Sequence, residues 1–234
     1  MPAGSMPNDT CWNWSKKMPE RHYFQYGTAE TEYLKSRDRK LGDAIDRIGP
    51  IKRELYPELY PALVKSIVGQ QISTKAQQTI WTRMKERFQP FKPEVLGRAA
   101  LEELQRCGIS LRKAGYIRDL TRAVLEGEVN LAGLQTMSDA EVCRELTKLK
   151  GVGPWTAEMM LIFSLQRPDV VSYGDLAIQR GMRMLYRHRQ LTPELFERYR
   201  RRYSPYGTVA SLYLWAIAGG AMPELSDPAP KQKK

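Results

Sequence analysis

A carboxylate, Asp175 in Tyr173-Gly174-Asp175-Leu176-Ala177-Ile178, follows a glycine and opens an amphipathic stretch. That setting makes it a helix N-cap, and a helix start stabilises a carboxylate as the anion. A fixed anion can stabilise positive charge developing on a substrate and orient or deprotonate an attacking water. Upstream, Leu149–Ala157 reads L-K-G-V-G-P-W-T-A. Arg144–Lys150 reads as helix before the two glycines, and Pro154 suits the first position of a helix after them. The spacing predicts a helix-hairpin-helix turn, with glycines supplying positive φ and close backbone approach. The amides from Gly151 to Gly153 would then face outward at a helix start, an anion site suited to a nucleic-acid phosphate. A phosphate grip followed by a fixed carboxylate describes a candidate enzyme acting on nucleic acid.

These two features stand in an ordered set: Gly69–Ser73 (G-Q-Q-I-S), the hairpin, Gly174–Ile178 and Ser204-Pro205-Tyr206. On those motifs, over roughly residues 50–220, the chain resembles the helix-hairpin-helix DNA glycosylases of the 3-methyladenine DNA glycosylase II type. The resemblance implies Asp175 as the catalytic carboxylate, because breaking a base–sugar bond passes through an oxocarbenium-like state that an anion stabilises. It implies a base pocket formed by Trp155, Tyr206 and Met159, with Tyr206 stacking on the flipped base. A ring face attracts the cationic purines that N3- or N7-methylation creates. Gln71, with Ile72 and Gln70, matches the turn that fills the gap left by an extruded base. Gly151, Val152, Gly153 and Thr156 match the phosphate-binding hairpin.

Relatives that also cut the backbone carry a lysine two residues after the second glycine, where its amine forms a Schiff base. Here that residue is Trp155, so a monofunctional enzyme is implied, while Lys148 and Lys150 lie before the turn. The usual arginine after Tyr206 is replaced by Gly207. The resemblance also implies a place for Na+ or K+ at the backbone carbonyls of Thr147, Leu149 and Gly151, with no other cofactor required. Some relatives carry a four-cysteine iron–sulfur loop; Cys11, Cys107 and Cys143 are too few and too scattered for one.

The elements that must position these groups read as helices. Apolar residues recur at helical spacing through 58–69, 74–88, 100–107, 110–126, 139–149, 154–165, 176–187, 193–203 and 207–218, and Ala29–Ile48 reads as one further helix. Thr74–Gln77 and Ser138–Glu141 read as capping boxes, and Thr192-Pro193 as a cap with proline in the first turn. Gly108, Gly127 and Gly151 read as stops. The class is all-α: a two-lobed helical fold with the active site in the cleft between lobes. The resemblance adds that larger relatives carry an N-terminal β domain, for which the residues before Ile51 are too few. The organisation is an N-terminal arm over 1–27, a helical glycosylase domain over 28–226 with its hairpin at 144–157, and a disordered basic tail over 227–234.

Hydrophobic residues make up 42% and charged residues 27%, an ordinary globular balance, and no apolar run approaches a membrane span. A net charge of +11 favours polyanionic partners. Arg180, Arg183, Arg187, Arg198, Arg200, Arg201 and Arg202 concentrate charge on two late helices, and about three of these seven are assigned to phosphate contact on the usual balance between solvated and binding faces. The expected partner is double-stranded DNA containing alkylated bases, bound by a monomer in the cytosol or bacterial nucleoid. Two rivals stay open: a glycosylase for oxidised or mismatched bases, and a hairpin module that binds DNA without catalysis.

Overall fold

A computed structural model describes residues 22–229. Trp12, Trp14 and Cys11 of the expected arm, and residues 230–234 of the expected tail, lie outside the described residues. Where the described part begins, residues 22–24 run beside 53–55: Phe24 N–H donates to Arg53 O at 2.8 Å, and Leu55 N–H to His22 O at 2.8 Å. The bridge between Tyr23 and Glu54 is the one β-bridge among the described residues.

The rest is helical, as the apolar periodicity requires. Helices α1 (Thr28–Arg37) and α2 (Arg39–Ile48) come first, followed by α3 (Leu59–Gly69), α4 (Thr74–Arg87), α5 (Pro93–Leu96) and α6 (Leu101–Arg106). Next are α7 (Leu111–Leu125), a 3-10 turn over Ala132–Thr136, α8 (Asp139–Thr147) and α9 (Pro154–Phe163). The chain ends with α10 (Leu176–Tyr186), α11 (Pro193–Tyr203) and α12 (Gly207–Ala218).

Two apolar cores divide these helices. Leu63, Ile67, Met84, Ile117, Leu120, Leu146 and Ile162 belong to a first lobe built from α3 to α9. Leu34, Leu41, Ile178, Met182, Tyr203, Leu214 and Ile217 belong to a second lobe built from α1, α2 and α10 to α12. The chain therefore crosses between lobes twice, before α3 and between α9 and α10. Trp215 packs against both cores, so α12 carries one ring into the seam.

Three local readings change. The single helix expected over Ala29–Ile48 is broken at Asp38, whose buried carboxylate caps α2 through Leu41 N–H at 3.0 Å and meets Arg202 at 3.3 Å. An aspartate offering a helix start its own acceptor ends the preceding helix. The cap of α4 is Ser73, which accepts from Ala76 N–H at 3.2 Å, and Gln77 reaches back to Lys65 O at 2.9 Å instead of closing a box with Thr74. At the C-terminal end Asp227 is gripped through both oxygens by Arg183, so the tail expected to be disordered from 227 is anchored at its first residue. The Ser138–Glu141 box and the Thr192 cap form as their sequences require.

Candidate active site and nucleic-acid interface

Asp175 stands at the end of the second crossing, a strap held from both sides. On the α12 side, Asp169 accepts from Ser204 Oγ at 2.6 Å and Gly207 N–H at 3.0 Å, and Val170 N–H donates to Thr208 Oγ1 at 3.0 Å. A Cβ at Gly207 would come within 2.7 Å of Asp169 Oδ1 and 2.8 Å of Val171. The glycine standing where an arginine is usual is thus a packing requirement of this strap. On the α9 side, the buried Ser172 hydroxyl bonds the Glu158 carboxyl, and Ser172 O accepts Asp175 N–H at 3.3 Å. Burial raises the Glu158 carboxyl above its ordinary pKa; the Ser172 hydrogen bond opposes this and the Asp175 charge adds to it.

Asp175 is 6% exposed and receives four N–H groups. Ala177 and Ile178 amides donate to Oδ1 at 2.9 Å each, as the N-cap reading requires. Trp155 Nε1 donates to Oδ2 at 2.8 Å and Trp215 Nε1 to Oδ1 at 3.2 Å. Three of these donors converge on Oδ1 and one on Oδ2, which fixes the orientation of the carboxyl group. Trp155 comes from the first lobe and is 44% exposed, whereas Trp215 comes from the second and stacks on Phe163 at 5.6 Å. The carboxylate is therefore flanked by two indoles in the cleft between lobes.

Trp215 is the residue that sequence reasoning missed. Tyr206, expected to stack on the base, sits at the start of α12 with its ring edge-on to Tyr33 at 5.2 Å, and is not among the groups touching Asp175. Met159 is 6% exposed, as buried as Asp175, and packs in the first core. The neighbouring lysines are engaged elsewhere: Lys148 pairs with Glu145 at 2.7 Å and Lys150 with Asp119 at 3.5 Å.

The hairpin forms between α8 and α9. Gly151 takes φ +84°, a left-handed turn, and a Cβ there would lie 2.6 Å from the Tyr116 ring. Gly153 instead is extended at φ −93° and caps α9, with open space where its Cβ would be. Among the described residues the N–H groups of Gly151 and Gly153 donate to no backbone carbonyl, whereas Val152 N–H is spent on Leu149 O at 3.0 Å. Val152 and Thr156 have buried side chains, so of the four expected phosphate residues the glycine amides and the first turn of α9 face outward. Of the carbonyls expected to hold a monovalent cation, Gly151 O accepts from Gln70 Nε2 at 2.7 Å, which uses one of its two lone pairs.

Facing the hairpin, the turn after α3 carries the expected plug. Gln71 takes φ +56° and is exposed, and Ile72 is 37% exposed. Gln70 does not project with them; its amide is tied to the hairpin. Among the seven late arginines, Arg183 binds Asp227, Arg200 and Arg201 bind Glu197, and Arg202 binds Asp38. Arg180, Arg187 and Arg198 pair with no carboxylate among the described residues. No helix among these residues is long and apolar enough to cross a membrane.

A helical fold with a glycine hairpin on one lobe and a buried aspartate in the interlobe cleft is the architecture of the DNA glycosylase class of helix-hairpin-helix proteins. A family profile described as HhH-GPD superfamily base excision DNA repair protein matches residues 64–205, and the chain belongs to that family. It is 32% identical to DNA-3-methyladenine glycosylase 1 of Schizosaccharomyces pombe over 163 residues, covering 68% of this chain and 72% of that one. A putative DNA-3-methyladenine glycosylase of Bacillus subtilis is 30% identical over 169 residues, covering 67% of this chain and 58% of that one. Among solved structures, a DNA-3-methyladenine glycosidase from Bacillus halodurans superposes with a TM-score of 0.78 at 36% identity, covering 87% and 95% of the two chains. The S. pombe enzyme in complex with abasic DNA gives 0.70 at 28% identity, covering 81% and 96%.

Proposed function

We propose that this chain is a monofunctional DNA glycosylase that hydrolyses the N-glycosidic bond of alkylated purines, such as 3-methyladenine and 7-methylguanine, in duplex DNA. The observation that carries the reading is Asp175, a carboxylate fixed by two indoles and a helix start in the cleft, with Trp155 where a lysine nucleophile would stand. The names of the relatives and the abasic DNA bound by one of them support the substrate class.

In this mechanism the hairpin amides and α9 start grip a phosphate, and Gln71 and Ile72 fill the space of the extruded nucleotide. The base enters between Trp155 and Trp215, whose ring faces attract a cationic alkylpurine more than a neutral one. Such a base is already a good leaving group, so the site supplies an anion rather than a strong acid. As the bond to the sugar lengthens, Asp175 stabilises the growing oxocarbenium charge and orients water toward it. Trp155 Nε1 holds one carboxylate oxygen, and its indole forms one wall of the pocket.

Incubation with methylated duplex DNA tests the reading, with free bases scored by chromatography. Methylated purines should appear with the strand uncut until alkali or heat, and borohydride should trap no adduct. Absence of base release, or a trapped covalent complex, would overturn it.

A further inference from the structure

The face of α7 does work that neither the site nor the motifs assign. Lys113, Tyr116 and Asp119 stand three residues apart, so they share one stripe of that helix. Lys113 Nζ donates to Val68 O at 2.8 Å and Gln70 O at 2.6 Å, two carbonyls where α3 ends. Those acceptors are left orphaned by a helix C-terminus, where a cation is favoured. One turn on, Tyr116 lies against Gly151, and one turn further Asp119 pairs with Lys150 at 3.5 Å. The turn carrying Gln71 and the hairpin are then joined directly by Gln70 Nε2 to Gly151 O.

We propose that Lys113 and Gln70 are positioning residues that lock the Gln71–Ile72 turn at a fixed distance from the phosphate-gripping hairpin, so that gripping the strand places the plug at the step being opened. The inference rests on reading Gln71 and Ile72 as the residues that enter the duplex. A left-handed Gln71 is a sparsely populated conformation that persists only when its surroundings over-determine it. The Lys113 ammonium on the Gln70 carbonyl, with the Gln70 amide on Gly151, supplies that determination from both sides of the residue before it. Lys113 touches no reacting atom, so its contribution is confined to opening the duplex.

The test compares excision of one lesion paired in a duplex with excision of the same lesion in a short unpaired bubble, where no plug is needed. Lys113→Met should lose about 10-fold or more on the duplex, the scale of a misplaced positioning element. The loss on the bubble should be small, with affinity for undamaged duplex unchanged. Lys113→Arg should recover part of the duplex activity, since a guanidinium can also reach two carbonyls. Gln70→Leu is the second route if Lys113→Met fails to fold, and should show the same duplex-specific loss. A Gln71→Gly, Ile72→Ala variant runs in parallel to separate the two readings. If it loses duplex activity selectively while Lys113→Met and Gln70→Leu lose equally on both substrates, the positioning role falls and the plug stands. If it shows no selective loss, the plug reading fails and the inference with it.

Discussion

The hairpin and the Asp175 cleft hold charge in opposite ways. At the hairpin the donors are backbone amides, aimed by the left-handed turn at Gly151 and by the start of α9. At the cleft two of the four donors are indoles, delivered by helices from different lobes onto one carboxylate. A backbone site depends on local dihedrals and tolerates many side chains around it. A side-chain site depends on the docking of two cores, and each of its indole donors can be removed singly without disturbing the chain path. The first suits sequence-independent phosphate gripping; the second suits chemistry that needs one charge in one place.

The largest effect is expected at Asp175 itself. Asp175→Asn keeps the side chain's size but removes the charge and turns an amide N–H toward one of the indoles. Single-turnover excision should fall at least about 100-fold, the scale of losing one fixed electrostatic stabiliser. DNA affinity, which the proposed function assigns to the hairpin, should barely change in a filter-binding or anisotropy assay.

The converse holds for the hairpin. Gly151→Ala forces a Cβ into the Tyr116 ring at a φ that L-residues resist by about 1–2 kcal/mol, so the amide face tilts away. Affinity for any duplex should drop about 10-fold while excision at saturating enzyme changes little. Gly153→Ala meets open space in the free protein and should cost less. Affinity should also fall linearly in log[salt] as counterions are released. Equal losses at both glycines would show that bulk near the phosphate, and not the turn's dihedrals, governs the grip.

The same contrast explains what could be read from the sequence. The hairpin was legible because Gly151, Gly153 and Pro154 specify dihedrals locally, and Asp175 was legible because an N-cap is a local pattern. Trp215 was not. Helix α12 is buried nearly all round, so no amphipathic stripe singles out the residue that reaches Asp175. Tyr206 drew attention by its turn, yet packing against Tyr33 decides where its ring goes. Gln70 looked equivalent to Gln71, and only the change of φ between them sends one side chain inward and the other out. The helix break at Asp38 hid inside a charged run, and α5 and the 3-10 turn are too short to show a period.

A smaller effect sharpens the cleft's electrostatics. Glu158 has its pKa raised by burial, so the stability it contributes is present at acid pH and lost as pH rises through the raised value. Glu158→Gln keeps an acceptor for Ser172 and cannot ionise. Its thermal midpoint should exceed that of the wild type above the carboxylate range and converge with it below, with excision nearly unchanged. A parallel pH profile for the two proteins would mean that Glu158 is solvated as an ordinary carboxylate.

In the proposed mechanism Asp175 works as a charge oriented by indoles from both lobes. A double-mutant cycle tests it most directly, using Trp215→Phe, which removes the N–H but keeps a ring against Phe163. Hydrogen bonds to charged groups are worth about 1.5–3 kcal/mol, so this change should slow single-turnover excision about 10-fold in the wild-type background. In the Asp175→Asn background the same change should cost almost nothing, because the charge it orients is gone. A full 10-fold loss in both backgrounds would mean that Trp215 acts independently of Asp175, and the claim would be contradicted.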